Sequence, residues 1–181
     1  MFLFRRRSPK VFFHIGLPKC GSTSIQRHFA AHDAAYRAQG LVYPETGREA
    51  AGYRSHLPLM KLDDAGLSDA MAALRDECGG ARRVLISCEG FANALPGGRA
   101  AAVGTALAGT FGARNVTILA YFRAPQGFVE SAYAQFLVGG VFGVPKPAFF
   151  AEGAPPGLDR FLDHAARLKG FEAHDLLGWS D

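Results

Sequence analysis

Short apolar runs alternate with amphipathic stretches along this chain of 181 residues. Runs at 11–15, 83–87 and 116–122 are rich in β-branched and aromatic residues, and we predict that each forms a buried strand. A shorter extended run at 41–43 is stopped by Pro44. Helical periodicity or alanine-rich composition predicts five helices: 22–38, 66–78, 98–111, 125–138 and 158–168. Between them we expect loops, notably 46–65, with a helical turn, and 141–157.

Strands that alternate with helices predict an α/β fold, with a parallel sheet covered by helices on both faces. Helix 22–38 carries the apolar residues Ile25, Phe29 and Tyr36 on one face, and Gly40 lies just past its end.

Polar residues follow the ends of three predicted strands. Lys19, Glu89 and Arg123 come directly after them. Because parallel α/β sheets bind ligands outside the carboxyl ends of their strands, we expect these side chains to gather at one sheet edge.

The most informative segment is the turn between the first strand and the first helix. It reads Gly16-Leu17-Pro18-Lys19-Cys20-Gly21-Ser22-Thr23-Ser24. Backbone N–H groups of such a turn, and of the first turn of the helix, point at one place, where the helix dipole favours an anion. A lysine and three hydroxyl groups add donors to this anion cradle.

The position of the lysine argues against the nucleoside-triphosphatase loop G-x-x-x-x-G-K-[ST]. Gly16 and Gly21 have the spacing of that motif, but Ser22 follows Gly21, and Lys19 precedes it by two residues. A strict kinase or NTPase match therefore fails.

The turn resembles the 5′-phosphosulfate loop P-K-[TS]-G-[TS]-[TS] of sulfotransferases that use 3′-phosphoadenosine-5′-phosphosulfate (PAPS). Every position from Pro18 to Thr23 agrees except Cys20. A second motif supports the resemblance, since Arg123 at a strand end and Ser131 eight residues later have the spacing of the family's 3′-phosphate site. Pro125 suits the first turn of the intervening helix, and an arginine offers phosphate a bidentate fork. The resemblance covers residues 11 to 169, roughly.

This resemblance implies a three-layer P-loop-type sheet, PAPS or its product PAP as cosubstrate without a metal, and a carbohydrate or glycolipid hydroxyl as acceptor. Lys19 would stabilise the leaving phosphate, and Glu89, in a segment similar to the family's Ser-x-Glu-x-Phe, would act as base. Other members use histidine, so His14 and His56 are rival bases. The cosubstrate would be held by these residues: Pro18, Lys19, Cys20, Gly21, Ser22, Thr23, Ser24, Arg123 and Ser131.

Simpler interpretations stay open for each residue. Lys19 can be a solvated loop lysine, Glu89 a helix cap or surface ion-pair partner, and His14 a core histidine. Arg123 can pair with a carboxylate.

Composition sets further bounds. The formal charge of +4 suits an anionic nucleotide, and without a zinc-finger spacing or an RNA-binding motif it does not require nucleic acid.

Three cysteines at no metal-ligand spacing favour reduced thiols and a cytoplasmic location. No stretch reaches the length of a transmembrane helix. We expect a basic leader at 1–10 and one α/β domain at 11–181, and the composition leaves the oligomeric state open.

Relatives in the family continue well past the point that corresponds to Asp181, so the resemblance implies a shortened C-terminal portion. Two other functions therefore remain: a non-catalytic nucleotide-binding module, and a P-loop kinase or NTPase.

Overall fold

Four strands form one parallel sheet. The structure is a computed structural model that describes residues 8–93, 98–121 and 123–138. The strands are β1 (Lys10–Gly16), β2 (Leu41–Val42), β3 (Arg83–Ser87) and β4 (Val116–Ala120). They pair in the order β2-β3-β1-β4, so that β1 lies between β3 and β4. The predicted α/β fold with a parallel sheet is confirmed at this level.

Helices connect the strands. They are α1 (Ser22–Ala31), α2 (Asp33–Ala38), α3 (Asp64–Glu77), α4 (Gly90–Asn93), α5 (Gly98–Phe111) and α6 (Pro125–Val138). The predictions for 98–111 and 125–138 match α5 and α6, and the turn expected in 46–65 is a 3₁₀ helix at Leu57–Lys61. The predicted loop 141–157 and helix 158–168 lie outside the described residues. Within the described ranges, no helix combines the length and apolar character needed to cross a bilayer.

The prediction of a single helix over 22–38 is wrong. The chain leaves helical geometry at His32, which has φ −112° and ψ 23° and separates α1 from α2. Ile25, Phe29 and Tyr36 are only partly buried, and the residues that α1 buries are Ser22 and Gln26. The rings of Phe29 and Tyr36 instead pack on each other, with centroids 4.5 Å apart.

The hydrophobic core lies on one face of the sheet. Val11, Phe13 and Ile15 alternate along β1 and are completely buried. The parallel register places the apolar side chains of β3 and β4 beside them, and residues of α3 and α5 complete the cluster, among them Leu74 and Leu107. Alternation of this kind is what a strand buried on that face requires.

Candidate anion-binding cleft

The carboxyl ends of β1, β3 and β4 open into one cleft of about 590 Å³. Eight predicted site residues line it: Pro18, Lys19, Gly21, Ser22, Thr23, Glu89, Arg123 and Ser131. Two further lining residues, Tyr53 and Gln135, were not predicted as site residues. The cleft thus collects groups that are more than one hundred residues apart in sequence.

The turn between β1 and α1 forms the floor of the anion site. Gly21 precedes α1 with φ 85°, a left-handed conformation that favours glycine, and a Cβ atom there would meet nothing within 4 Å. The space above this turn is therefore open, and the first N–H groups of α1 lack intrahelical acceptors. Lys19 also has a positive φ, 65°. Its Nζ donates a 2.7 Å hydrogen bond to Oε1 of Gln135.

Arg123, in the segment between β4 and α6, contacts this turn. Its Nη1 donates to the carbonyl oxygen of Lys19 over 3.3 Å. Gly127 makes room for the guanidinium, because a Cβ atom at that position would lie 3.0 Å from Nε of Arg123. Ser131 lies one helical turn further along α6 and lines the same cleft. The arginine and the serine therefore border the same space.

Glu89 lies beside the floor of the cleft, where Gly16 permits the close approach. Gly16 has φ 106°, and a Cβ atom there would be 2.9 Å from Cα of Glu89. Burial raises the pKa of the Glu89 carboxyl, while hydrogen bonding from Ser22 and Gln26 and the charge of Lys19 act in the opposite direction. Its Oε2 atom is buried without a hydrogen-bond partner among the described residues. A carboxyl group in this state can accept a proton from a bound hydroxyl.

His14 lies beneath the cleft and does not line it. The ring is buried, and Nδ1 is 2.7 Å from the Ser87 hydroxyl, which also accepts a 3.2 Å hydrogen bond from Nε2 of Gln26. Burial lowers the pKa of His14 to about 4, so the ring is neutral at physiological pH. Its Nε2 has no partner among the residues described.

His56 is fully buried outside the cleft lining. Its Nδ1 accepts from the N–H of Ser87 at 3.2 Å, and Nε2 is 3.2 Å from the carbonyl oxygen of Pro44. Burial is the main cause that lowers the pKa of His56 to about 4. Both ring nitrogens of His56 are therefore hydrogen-bonded to main-chain groups, which is a structural role.

Two residues of the predicted loop, Cys20 and Ser24, do not line the cleft. Cys20 packs on the hydrophobic core, and burial raises the pKa of its thiol even though the Arg123 charge opposes this. Ser24 is exposed on the first turn of α1. In the described ranges, no three His, Cys, Asp or Glu side chains cluster as a metal-binding group.

We compared the chain with protein-family models, with curated proteins and with solved structures, and none of them matched. The geometry of the cleft therefore carries the functional argument.

Sequence reasoning missed three residues around the site. Gln26 follows Ser22 by four positions, so both lie on one face of α1, a spacing that was visible in the sequence. Gln135 follows Ser131 by the same spacing on α6. Tyr53 lies in a loop with no periodic pattern, and only tertiary contacts bring it to the cleft.

Proposed function

We propose that this protein is a PAPS-dependent sulfotransferase that transfers a sulfonate group to a hydroxyl of a carbohydrate or glycolipid. One observation carries the proposal: the turn with Lys19 and the segment with Arg123 and Ser131 line the same cleft, with the half-buried side chain of Glu89 beside them. We include in the proposal a three-layer P-loop-type arrangement and a cytoplasmic location. The parallel sheet supports the former, and three free cysteines support the latter.

The order of the strands suggests how the cleft divides. Lys19 follows the central strand β1, Glu89 follows β3 on one side, and Arg123 follows β4 on the other. The 5′-phosphate would bind at the centre, on the turn amides and the hydroxyls of Ser22 and Thr23. Arg123 and Ser131 would hold the 3′-phosphate. The acceptor would then enter on the side of Glu89.

PAPS supplies a sulfonate joined to a phosphate that can leave. Glu89 accepts the proton of the acceptor hydroxyl while the new oxygen–sulfur bond forms. The bond from sulfur to the bridging oxygen breaks in the same step, and Lys19 stabilises the charge on the departing phosphate. Sulfonated acceptor, PAP and a protonated Glu89 are the products, so atoms and charges balance.

The residues of the cleft fit this cosubstrate. The ammonium group of Lys19 contacts a neutral amide at Gln135, which leaves its charge available for an anion. Glu89 lines the cleft, so its carboxylate borders the space through which an acceptor hydroxyl would enter. Open space above Gly21 admits a phosphate to the helix N-terminus.

Titration calorimetry with the full chain tests the proposal. PAP should bind equally well with and without a chelator, since the phosphates are neutralised by side chains and amides. Binding that requires Mg²⁺ or prefers ATP would identify a kinase or NTPase instead. Binding of PAP without any sulfonate transfer across an acceptor panel would identify a nucleotide-binding module.

A matched pair of variants tests the two phosphate subsites. Arg123→Ala should weaken the binding of PAP by about 10- to 150-fold, which corresponds to the loss of one charge-assisted contact. The same substitution should hardly change the binding of adenosine 5′-phosphosulfate, because that ligand lacks the 3′-phosphate. Lys19→Ala should weaken both ligands, because both carry the 5′ group. Equal weakening of the two ligands by Arg123→Ala would remove Arg123 as the 3′-phosphate contact.

A further inference from the structure

An exposed aromatic ring lines the cleft and has no role in the scheme above. Tyr53 is 53% exposed, in the loop between β2 and the 3₁₀ helix. The carbonyl groups on either side of it are both held by distant side chains. Nε of Arg27 donates to the oxygen of Gly52 at 3.2 Å, and the hydroxyl of Tyr43 donates to the oxygen of Arg54 at 2.7 Å. The main chain on both sides of this exposed residue is therefore held by hydrogen bonds.

The backbone beside Tyr53 is in a conformation that few residues adopt. Among the described residues, Lys19 and Arg54 are the non-glycine residues with positive φ, at 65° and 64°. Such a conformation costs free energy and persists where surrounding contacts enforce it, frequently at functional sites. One of these residues carries the proposed catalytic cation, and the other directly follows Tyr53.

The loop places Tyr53 on the Glu89 side of the cleft. The N–H of His56 donates a 2.8 Å hydrogen bond to the carbonyl oxygen of Ser87, the last residue of β3. Arg123 and Ser131 belong to the segment after β4, on the opposite side of β1. Tyr53 therefore borders the side of the cleft that the scheme above assigns to the acceptor, and Arg123 lies on the other side.

We propose that Tyr53 is a specificity-determining residue of the acceptor subsite, where its ring stacks on the carbon face of a pyranose whose hydroxyl points at Glu89. An aromatic ring provides flat apolar area with little loss of conformational entropy. A pyranose offers a matching face of C–H groups and hydroxyls at its edge, which a carboxylate can accept from. The inference deepens the proposed function and rests on it.

Saturation-transfer-difference NMR with methyl hexopyranosides, in the presence and absence of PAP, tests this subsite on the full chain. Tyr53→Ala should weaken glycoside binding by roughly two- to tenfold, if stacking on the sugar contributes as much as a pair of aromatic rings does. Tyr53→Phe keeps the ring and should bind as the wild type does. The affinity for PAP should be the same in all three proteins, and because Tyr53 is exposed, their thermal melting curves should coincide.

The outcomes separate this inference from the proposed function. Tyr53-dependent glycoside binding without any PAP binding would reject the sulfotransferase and retain the sugar subsite. Loss of PAP affinity in Tyr53→Ala would show that the ring stacks on the nucleobase, and would overturn the inference. The inference would also be overturned if phenol bound and none of the glycosides did. It would be overturned as well if Tyr53→Ala left glycoside binding unchanged.

Discussion

The two faces of the sheet differ in chemistry although they share the same strands. On one face, Val11, Phe13 and Ile15 of β1 are completely buried among apolar side chains. On the other, the register pairs His14 with Ser87, and both are buried polar residues. The Ser87 hydroxyl is hydrogen-bonded to His14 and accepts from Gln26 of α1. One face therefore stabilises the fold by excluding water, and the other holds buried polar groups next to the cleft.

The two faces also differ in what their buried groups contribute to the free energy of folding. Buried polar atoms cost free energy unless they are hydrogen-bonded. Nε2 of His14, Oε1 of Gln26 and Oε2 of Glu89 lack partners among the described residues. Keeping these three atoms at or below the cleft costs free energy that an apolar core would avoid. The comparison predicts separate effects for substitutions on the two faces.

The largest expected effect is on turnover, at the polar face. Glu89→Gln keeps the size of the side chain and removes its ability to accept a proton, so sulfonate transfer should fall by about 10²–10⁴-fold. PAP affinity should stay nearly unchanged, because the base acts on the acceptor. In the wild type, the rate should rise with pH as Glu89 ionises, and burial shifts that rise to higher pH than for an ordinary glutamate.

Steady-state rates and calorimetry on the same preparations check this assignment. The ionisation that limits the rate at low pH should vanish in Glu89→Gln. A much greater loss in His14→Ala than in Glu89→Gln would move the base to His14.

The second effect concerns stability and belongs to the apolar face. Leu107→Ala in α5 removes a side chain with no exposed surface and should lower the free energy of unfolding by about 2–5 kcal/mol. Leu137→Ala in α6 is the matched control, since that leucine is 43% exposed and its loss should cost less than about 0.5 kcal/mol.

Denaturant unfolding measures both leucine variants, and PAP affinity is then measured under conditions where they are folded. An unchanged affinity in Leu107→Ala would support the separation of the two faces. A large loss of affinity in that folded variant would show that the faces are coupled.

The apolar face could be predicted from the sequence, and the polar face only in part. Strand β3 and helices α5 and α6 have the predicted bounds because runs such as 83–87 are locally unambiguous. The prediction for 22–38 did not show which side of the helix is buried, for a physical reason. Its apolar residues Phe29 and Tyr36 pack on each other, and the polar residue Gln26 is buried. Amphipathic periodicity identifies a helix, but it does not show which face covers a polar site.

The candidate site divides in the same way. Two short sequence motifs supply most of the residues that line the cleft. They are the segment from Lys19 to Thr23 and the pair Arg123 and Ser131. The rival base His56 is held between β3 and Pro44, and Tyr53 lines the cleft through contacts of a loop. Those placements depend on hydrogen bonds between residues far apart in the chain, and such contacts produce no recognisable spacing in the sequence.

The last effect is the dependence of stability on pH, to which the buried histidines contribute. The pKa of His14 and of His56 is lowered from 6.5 to about 4 in the folded protein. Between these values the unfolded chain binds protons that the folded chain does not, so stability falls as the pH falls from 6.5 towards 4. Each histidine contributes at most about 3 kcal/mol to this loss. Urea unfolding at several pH values in that window measures it, and His56→Gln, which cannot titrate, should show roughly half of the wild-type dependence. If His56→Gln keeps the full dependence, other groups carry the protons, and the neutral state assigned to this buried histidine is wrong.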